Sequence, residues 1–188
     1  AWCVFLSHRG PLLALLDLFR DRIEGPDIGK QIKAMHDHWK FQFIAVEQIA
    51  GFIALGQQFK RDGLPIRDIG TSKEAFLRME GDKESRVYGA TPLMADGRFY
   101  IPTYAPWLGE YIRELTVFPN YGHDDQADVT SSAVAIAEKV TGGRMAKANQ
   151  PLQTSRQRYT SDGHEGRGTD DRSNGSDNPY GLMRLNRP

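Results

Sequence analysis

The sequence predicts an α/β domain built on a mixed sheet flanked by helices, and two observations carry that prediction. Two apolar runs on either side of a short turn at 7–10 open the chain, which is typical of a β-hairpin. After them, short β-branched and aromatic runs alternate with segments of helical periodicity. That alternation is the pattern in which helices connect parallel strands, so parallel strands should follow the hairpin.

Each element follows from local chemistry. Ile28, Ile32 and Met35 recur at spacings of four and three, which places them on one helical face. Gly63 and Pro119 are typical of positions that end a helix. We predict strands at 2–6, 11–19, 41–48, 64–70 and 97–102, and helices at 28–40, 50–63, 82–94, 105–119 and 125–143.

Composition limits the classes of protein to consider. With 188 residues, 39% of them hydrophobic, the chain has material for one domain with a core, expected at 1–144. The formal net charge is zero, so no global field favours nucleic acid or an anionic membrane. A single cysteine, Cys3, excludes a disulfide framework and a cysteine-rich zinc site, and its apolar neighbours predict a core position. No apolar run is long enough for a membrane span.

The C-terminal segment has a different character. Residues 145–188 are polar, rich in glycine and nearly free of aliphatic side chains. Such a segment buries too little surface to offset the entropy cost of ordering, so we predict a disordered tail there.

Three aspartates crowd the start of the last predicted helix, within the run HDDQADV. Asp124 lies just before the helix, and Asp125 and Asp128 are three residues apart, so the latter two share a face. One acid suffices to complement a helix dipole, whereas three repel each other unless a cation lies among them. Carboxylate oxygens are the ligands that Mg²⁺ and Mn²⁺ prefer. The pattern therefore favours a divalent-metal site over a simple cap.

A fourth acid, Glu47, ends the predicted strand at 41–48. The carboxyl ends of strands are where α/β sheets place their sites, so Glu47 is a candidate partner of the aspartates. The alternative is a strand-end glutamate that faces water. Two ions held about 4 Å apart by such carboxylates would activate water for phosphodiester cleavage.

Three further residues are candidates at the same site. Lys83 and Arg86 lie one turn apart on a predicted helix and together could bind a phosphate, although spacing alone also suits a solvated helical face. His123 precedes the aspartates, where it either orients a phosphate or water or shapes the loop.

Four motifs in order make the chain resemble a known family. They are V-E at 46–47, D-K-E-x-R at 82–86, E-L-x-x-F-P at 114–119 and H-D-D-Q-x-D at 123–128. Over roughly Trp2 to Val140 the sequence resembles the C-terminal nuclease domain of the large terminase subunit of tailed bacteriophages. The resemblance implies a ribonuclease H-like fold that uses two Mg²⁺ or Mn²⁺ ions to cut concatemeric double-stranded viral DNA during genome packaging.

The resemblance also implies roles for single residues. Glu47 matches the second-strand acid and Asp125 the third acid, with Asp124 or Asp128 sharing or replacing it. Lys83 and Arg86 would face the DNA backbone, and His123 would support the water or metal. The implied partners are viral DNA, the portal protein and the small terminase subunit, in the cytoplasm of a bacterial host at the procapsid portal.

The chain departs from the family pattern at one point. The family's first strand carries an essential aspartate, and this strand and the ATPase domain would both lie before Ala1. We therefore expect an incomplete metal site, and whether this chain cuts DNA by itself stays open. Asp17 is acidic but matches a later strand. Two alternatives stay open: another ribonuclease H-like nuclease of the resolvase or transposase type, and a non-catalytic remnant that binds DNA or the portal.

Overall fold

The structure is a computed structural model that describes residues 1–7, 10–48, 52–143 and 182–184. Its five helices in those ranges are α1 Gly25–Trp39, α2 Ile53–Arg61, α3 Lys83–Ala95, α4 Leu108–Val117 and α5 Asp125–Val140. Its seven strands there are β1 Trp2–Ser7, β2 Gly10–Leu15, β3 Ile44–Glu47, β4 Ile66–Gly70, β5 Leu77–Arg78, β6 Phe99–Pro102 and β7 Leu182–Arg184.

The first sheet has the strand order β1-β2-β6-β7. The hairpin strands β1 and β2 are antiparallel, with Trp2 opposite Leu15. Strand β6 runs parallel to β2, pairing Phe99 with Leu13, and β7 runs antiparallel to β6. The sheet is therefore mixed, as the alternation of elements predicts.

The main core lies between this sheet and helices α3, α4 and α5. Strand β6 alternates in burial because successive side chains point to opposite faces of a strand, whereas β2 buries Leu13, Ala14 and Leu15 in succession. Apolar side chains from all five elements form one buried cluster: Leu13, Leu15, Ala90, Leu93, Phe99, Ile101, Tyr111, Ala133, Val134 and Ala137. Most of the side chains that α5 contributes to this cluster are small. The helix can therefore pack close to α3.

The second sheet has the order β3-β4-β5 and is parallel throughout. Helix α2 connects β3 to β4 and buries Phe59. Helix α1 carries the predicted apolar face but contains no fully buried residue. An ideal Cβ on its Gly29 would lie 3.1 Å from Cε1 of Phe59, so glycine permits the close approach of that ring.

Most of the predicted elements are confirmed, and four differences stand out. The parallel strands form a second sheet instead of extending the first. Strand β3 is half-buried where a buried central strand was predicted, because it lies at one end of the three-stranded order. Strand β5 was not predicted, since its two residues are too few for any periodicity. Cys3 is only half-buried, because β1 ends the order of the first sheet.

The predicted disordered tail lies outside the described residues except at one place. Leu182–Arg184 form β7, which pairs with Tyr100, Ile101 and Pro102 of β6. No helix in the described ranges is both long and apolar enough to cross a membrane.

Candidate active site at the start of α5

The three aspartates take the positions that the helical pattern predicts. Asp124 is the residue that precedes α5, Asp125 is its first residue, and Asp128 lies in its first turn. Asp124 makes no capping hydrogen bond with its side chain. Its carboxylate is therefore available to a neighbouring element.

That neighbour is the start of α3, where Lys83 meets two of the aspartates. Nζ of Lys83 lies 2.7 Å from Oδ1 of Asp124 and 3.8 Å from Oδ2 of Asp128. The lysine is held there because Asp82 caps α3, its carboxylate accepting a hydrogen bond from the backbone N–H of Ser85 at 2.8 Å. The two helix starts thus face each other with opposite charges.

Arg86, one turn further along α3, is bound on two sides. Its Nη2 donates to Oδ1 of Asp128 at 2.7 Å, and its Nη1 donates to the carbonyl oxygen of Gly81 at 3.2 Å. The side chains of Arg86 and Asp128 are 21% and 24% exposed, so this pair is shielded from much of the solvent. Arg86 thus fastens α3 to α5.

The Lys83 contact also changes the acidity of Asp124. Its hydrogen bond to the Lys83 ammonium, helped by the positive charge, holds the pKa of the Asp124 carboxyl below its ordinary value. Asp124 therefore stays ionised further into the acid range than a free aspartate does.

Asp125 differs from its two neighbours. Its side chain is 75% exposed, and the cation that approaches it is Arg20, with Nη2 lying 3.8 Å from Oδ2 of Asp125. Asp125 also lies on the wall of an apolar cavity of about 660 Å³ between the end of β2, α1 and α5, which Asp17 lines as well. Among the three aspartates, Asp125 is the one with a carboxylate largely open to a ligand.

A residue that the site prediction missed, Glu114 of α4, lies beneath this group. Its side chain is 0% exposed. Its carboxylate accepts hydrogen bonds from the backbone N–H groups of Gln126 and Ala127 and from Nε2 of Gln126. Glu114 stands in the E-L-x-x-F-P motif, but the amphipathic pattern of α4 gives no sign that one acid on it is fully buried.

A comparison with protein-family models identifies the fold. Residues 2–136 match the model described as the terminase RNaseH-like domain. The chain belongs to that family. This agrees with the four motifs and gives a terminase nuclease-type domain in place of the resolvase or transposase alternative. Searches of curated proteins and of solved structures returned no significant match.

The other two predicted site residues of this terminase domain, His123 and Glu47, lie in different places. His123 is exposed on the loop before α5. Glu47 is an exposed residue at the end of β3, as expected, but β3 belongs to the second sheet. Within the described parts of the chain, no three histidine, cysteine, aspartate or glutamate side chains lie close enough to hold one ion. Glu47 and the aspartates are thus not gathered into one ligand set.

The chemistry of the aspartates nevertheless suits a hard divalent ion. Mg²⁺ binds through one or two carboxylates and keeps several waters or phosphate oxygens, so the open carboxylate of Asp125 next to Asp124 fits its needs. Lys83 holds Asp124, so an ion that used Asp124 would replace the ammonium as its counter-charge. These carboxylates could therefore bind a metal ion if it replaced the cationic side chains that now pair with them.

Proposed function

We propose that this domain is a divalent-metal-dependent endonuclease that cuts double-stranded viral DNA during genome packaging. Membership of the terminase RNaseH-like family supports a nuclease-type domain, and the start of α5 supports the location of the site. The single observation that carries the proposal is the open carboxylate of Asp125 at the start of α5, where the neighbouring Asp124 and Asp128 pair with cations of α3.

The chain's own residues would hold and orient the reactants. Asp125, with Asp124, would bind Mg²⁺ or Mn²⁺. The ion, when bound, lowers the pKa of a bound water and stabilises the leaving oxygen of a phosphodiester. The hydrolysis adds the water oxygen to phosphorus and breaks the bond to the leaving oxygen, which takes up a proton. His123, exposed beside Asp124, would orient that water or a phosphate oxygen.

Lys83 would contribute the contact with the DNA backbone. It is 32% exposed and lies between two carboxylates, so it would be free to face a phosphate if those carboxylates held an ion instead. Arg86 is more enclosed, and its pair with Asp128 would position α3 while its charge attracts the backbone. By family membership, the partners we propose are the portal protein and the small terminase subunit, in the cytoplasm of a bacterial host.

Supercoiled-plasmid cleavage in manganese tests the proposal. We expect the chain to nick and linearise plasmid, and Asp125→Asn to abolish this while its circular dichroism and thermal transition stay close to those of the unaltered protein. The matched control is Asp27→Asn on α1, a similarly exposed aspartate in the first turn of another helix, which should cut normally. Cleavage by Asp125→Asn at the unaltered rate would overturn the site.

A non-catalytic DNA-binding role is the second candidate. It is favoured by the ion pairs that occupy Asp124 and Asp128 and by the absence of a three-residue ligand set among the described residues. Binding of duplex DNA by a folded chain that never cuts it, with either metal, would select this role over the nuclease.

A further inference from the structure

We propose that Glu114 is a positioning residue. Its buried carboxylate, supplied by α4, acts as the N-terminal cap of α5 and fixes the direction in which the aspartate side chains project from that helix. The inference rests on the proposed function for its catalytic consequence, because those aspartates are the proposed ligands. The capping contacts of Glu114 do not depend on that function.

The contacts of Glu114 are those of a cap provided by a different helix. Its Oε1 accepts from the backbone N–H groups of Gln126 at 2.5 Å and Ala127 at 2.9 Å. Its Oε2 accepts from Nε2 of Gln126 at 2.6 Å. The first N–H groups of any α-helix lack partners within the helix, and a capping residue normally supplies them from the position just before it.

At that preceding position α5 has Asp124, a residue type that caps well, yet its side chain makes no capping bond. Because Glu114 already satisfies the N–H groups of the second and third helical residues, Asp124 is spared that role. Its carboxylate turns instead to Lys83, 2.7 Å away. Glu114 thus explains why an aspartate in the usual capping position remains available as a ligand.

A buried carboxylate needs strong compensation, and this one has it. Three N–H donors and the positive end of the α5 dipole face Glu114, and Nη1 of Arg20 lies 3.8 Å from its Oε2. Arg20 also pairs with Glu110 and reaches Asp125 at 3.8 Å. The segment after β2, the helix α4 and the start of α5 are therefore joined around one carboxylate.

The same helix pair offers a matched control one turn away. The hydroxyl of Tyr111 on α4 lies 2.8 Å from Oγ1 of Thr130 on α5, and both side chains are buried. Tyr111→Phe removes a buried polar contact between α4 and α5 but none of the hydrogen bonds that the N–H groups of Gln126 and Ala127 donate to Glu114. It separates loss of interface stability from loss of the cap.

The test measures amide hydrogen exchange and the amide proton shifts of Gln126 and Ala127 by NMR. In Glu114→Gln, the carboxylate charge that faces the start of α5 is lost, and the Gln126 side-chain amide must turn over to accept from the new amide group, so the cap is weakened. We expect protection of both amides to fall by about tenfold or more. The exchanged pair Glu114→Gln with Gln126→Glu restores donor and acceptor, and should recover the protection and the shifts. Tyr111→Phe should lower the thermal transition but leave both amides protected.

Two structural outcomes would overturn the proposal: unchanged protection in Glu114→Gln, or an equal loss in Tyr111→Phe. Manganese-dependent cleavage below the transition temperatures then tests the catalytic consequence. Glu114→Gln should lower kcat while DNA affinity is kept, and the exchanged pair should recover it. If Glu114→Gln loses amide protection but keeps the unaltered kcat, the claim that Glu114 positions the aspartates for the reaction is overturned. If protection responds as expected but the unaltered chain does not cut DNA, the cap stands and the nuclease proposal fails.

Discussion

At the residue scale, the aspartates at the start of α5 differ by their partners and not by their chemical type. Asp124 bonds to Lys83, Asp128 bonds to Arg86, and Asp125 is mostly open to solvent. Repulsion among three carboxylates is thus relieved in this structure by cations from α3 and by Arg20. The same relief makes the carboxylates ready to accept a different cation.

Replacing Lys83 with methionine should raise the pKa of Asp124 toward its ordinary value. The hydrogen bond from Lys83 is the largest cause of the depressed pKa. Because the folded pKa lies below the unfolded one, this pairing stabilises the fold above the ordinary aspartate pKa, and the stabilisation disappears as pH falls through the lowered pKa. Lys83→Met should therefore flatten that part of the acid unfolding curve. Carbon-detected NMR titration of the Asp124 carboxyl measures the shift.

The control for this titration is Lys30→Met. Lys30 forms a similar pair with Asp27, Nζ to Oδ1 at 2.8 Å, but on the exposed side of α1. It should leave the Asp124 titration unchanged. An Asp124 pKa that stays depressed without Lys83 would show that another group causes the shift.

Arg86→Met should lower the free energy of unfolding by about 1–2 kcal/mol, because it leaves the half-buried carboxylate of Asp128 without its charged donor. Urea denaturation monitored by tryptophan fluorescence measures the loss. Arg61→Met, which removes an exposed contact with Gln58 three residues earlier, should change stability by no more than about 0.5 kcal/mol. Equal effects of the two substitutions would contradict the fastening role of Arg86.

Sequence reasoning locates the acids and the cations of this site but not the way they pair. The cluster at 123–128 and the spacing of Lys83 and Arg86 are visible in one dimension, whereas the ion pairs across α3 and α5 depend on how the helices pack. Glu114 shows the limit most clearly. The residues around Glu114 give α4 an amphipathic pattern, which predicts that a charged side chain lies on the exposed face. Glu114 is instead buried as a cap, because α5 packs against α4 at this position.

At the element scale, α5 depends on small side chains. Ala133 and Ala137 are buried in the core, and the helix packs closely against α3. The sequence predicts this alanine- and valine-rich helix at 125–143, and the helix is confirmed with its end at Val140. The start of α5, which carries the site, is therefore held in place by the packing of the rest of the helix and by the hydrogen bonds to Glu114.

Ala137→Leu should destabilise the protein by about 1–3 kcal/mol, since Ala137 is 1% exposed and added methyl groups must displace packed neighbours. Thermal and urea unfolding measure the change. Val140→Leu, on an exposed side chain at the end of the same helix, serves as the control and should be close to neutral. A neutral Ala137→Leu would mean that α5 has room to move against α3.

Elements with few residues or without periodicity were the hardest to predict. The hairpin β1–β2 follows from two apolar runs and a turn, and it is confirmed with its full register. Strand β5 has two residues and no pattern of its own; it forms because β4 offers it a parallel partner. The separation into two sheets likewise depends on pairing between distant strands, which local sequence does not encode.

At the scale of the whole molecule, the balance of positive and negative charges makes DNA binding depend on the charge at the site itself. The formal net charge is zero, so long-range attraction to DNA is weak. At the site, Asp124 and Asp128 pair with Lys83 and Arg86, so a divalent ion bound at the open carboxylate of Asp125 would make the net charge of this group positive. Affinity for DNA should therefore follow the occupancy of the site by metal.

This predicts that manganese raises the affinity of the chain for duplex DNA, by about tenfold at 50 mM salt, relative to the same buffer with a chelator. Fluorescence anisotropy with a labelled duplex measures the change. The double substitution Asp124→Asn with Asp125→Asn should bind DNA more tightly than the unaltered chain in chelator, because two repelling charges are gone, and should respond little to manganese. Asp27→Asn on α1 should behave like the unaltered chain in both buffers. An equal response to manganese in all three proteins would mean that the ion acts on the DNA and not through the aspartates of α5.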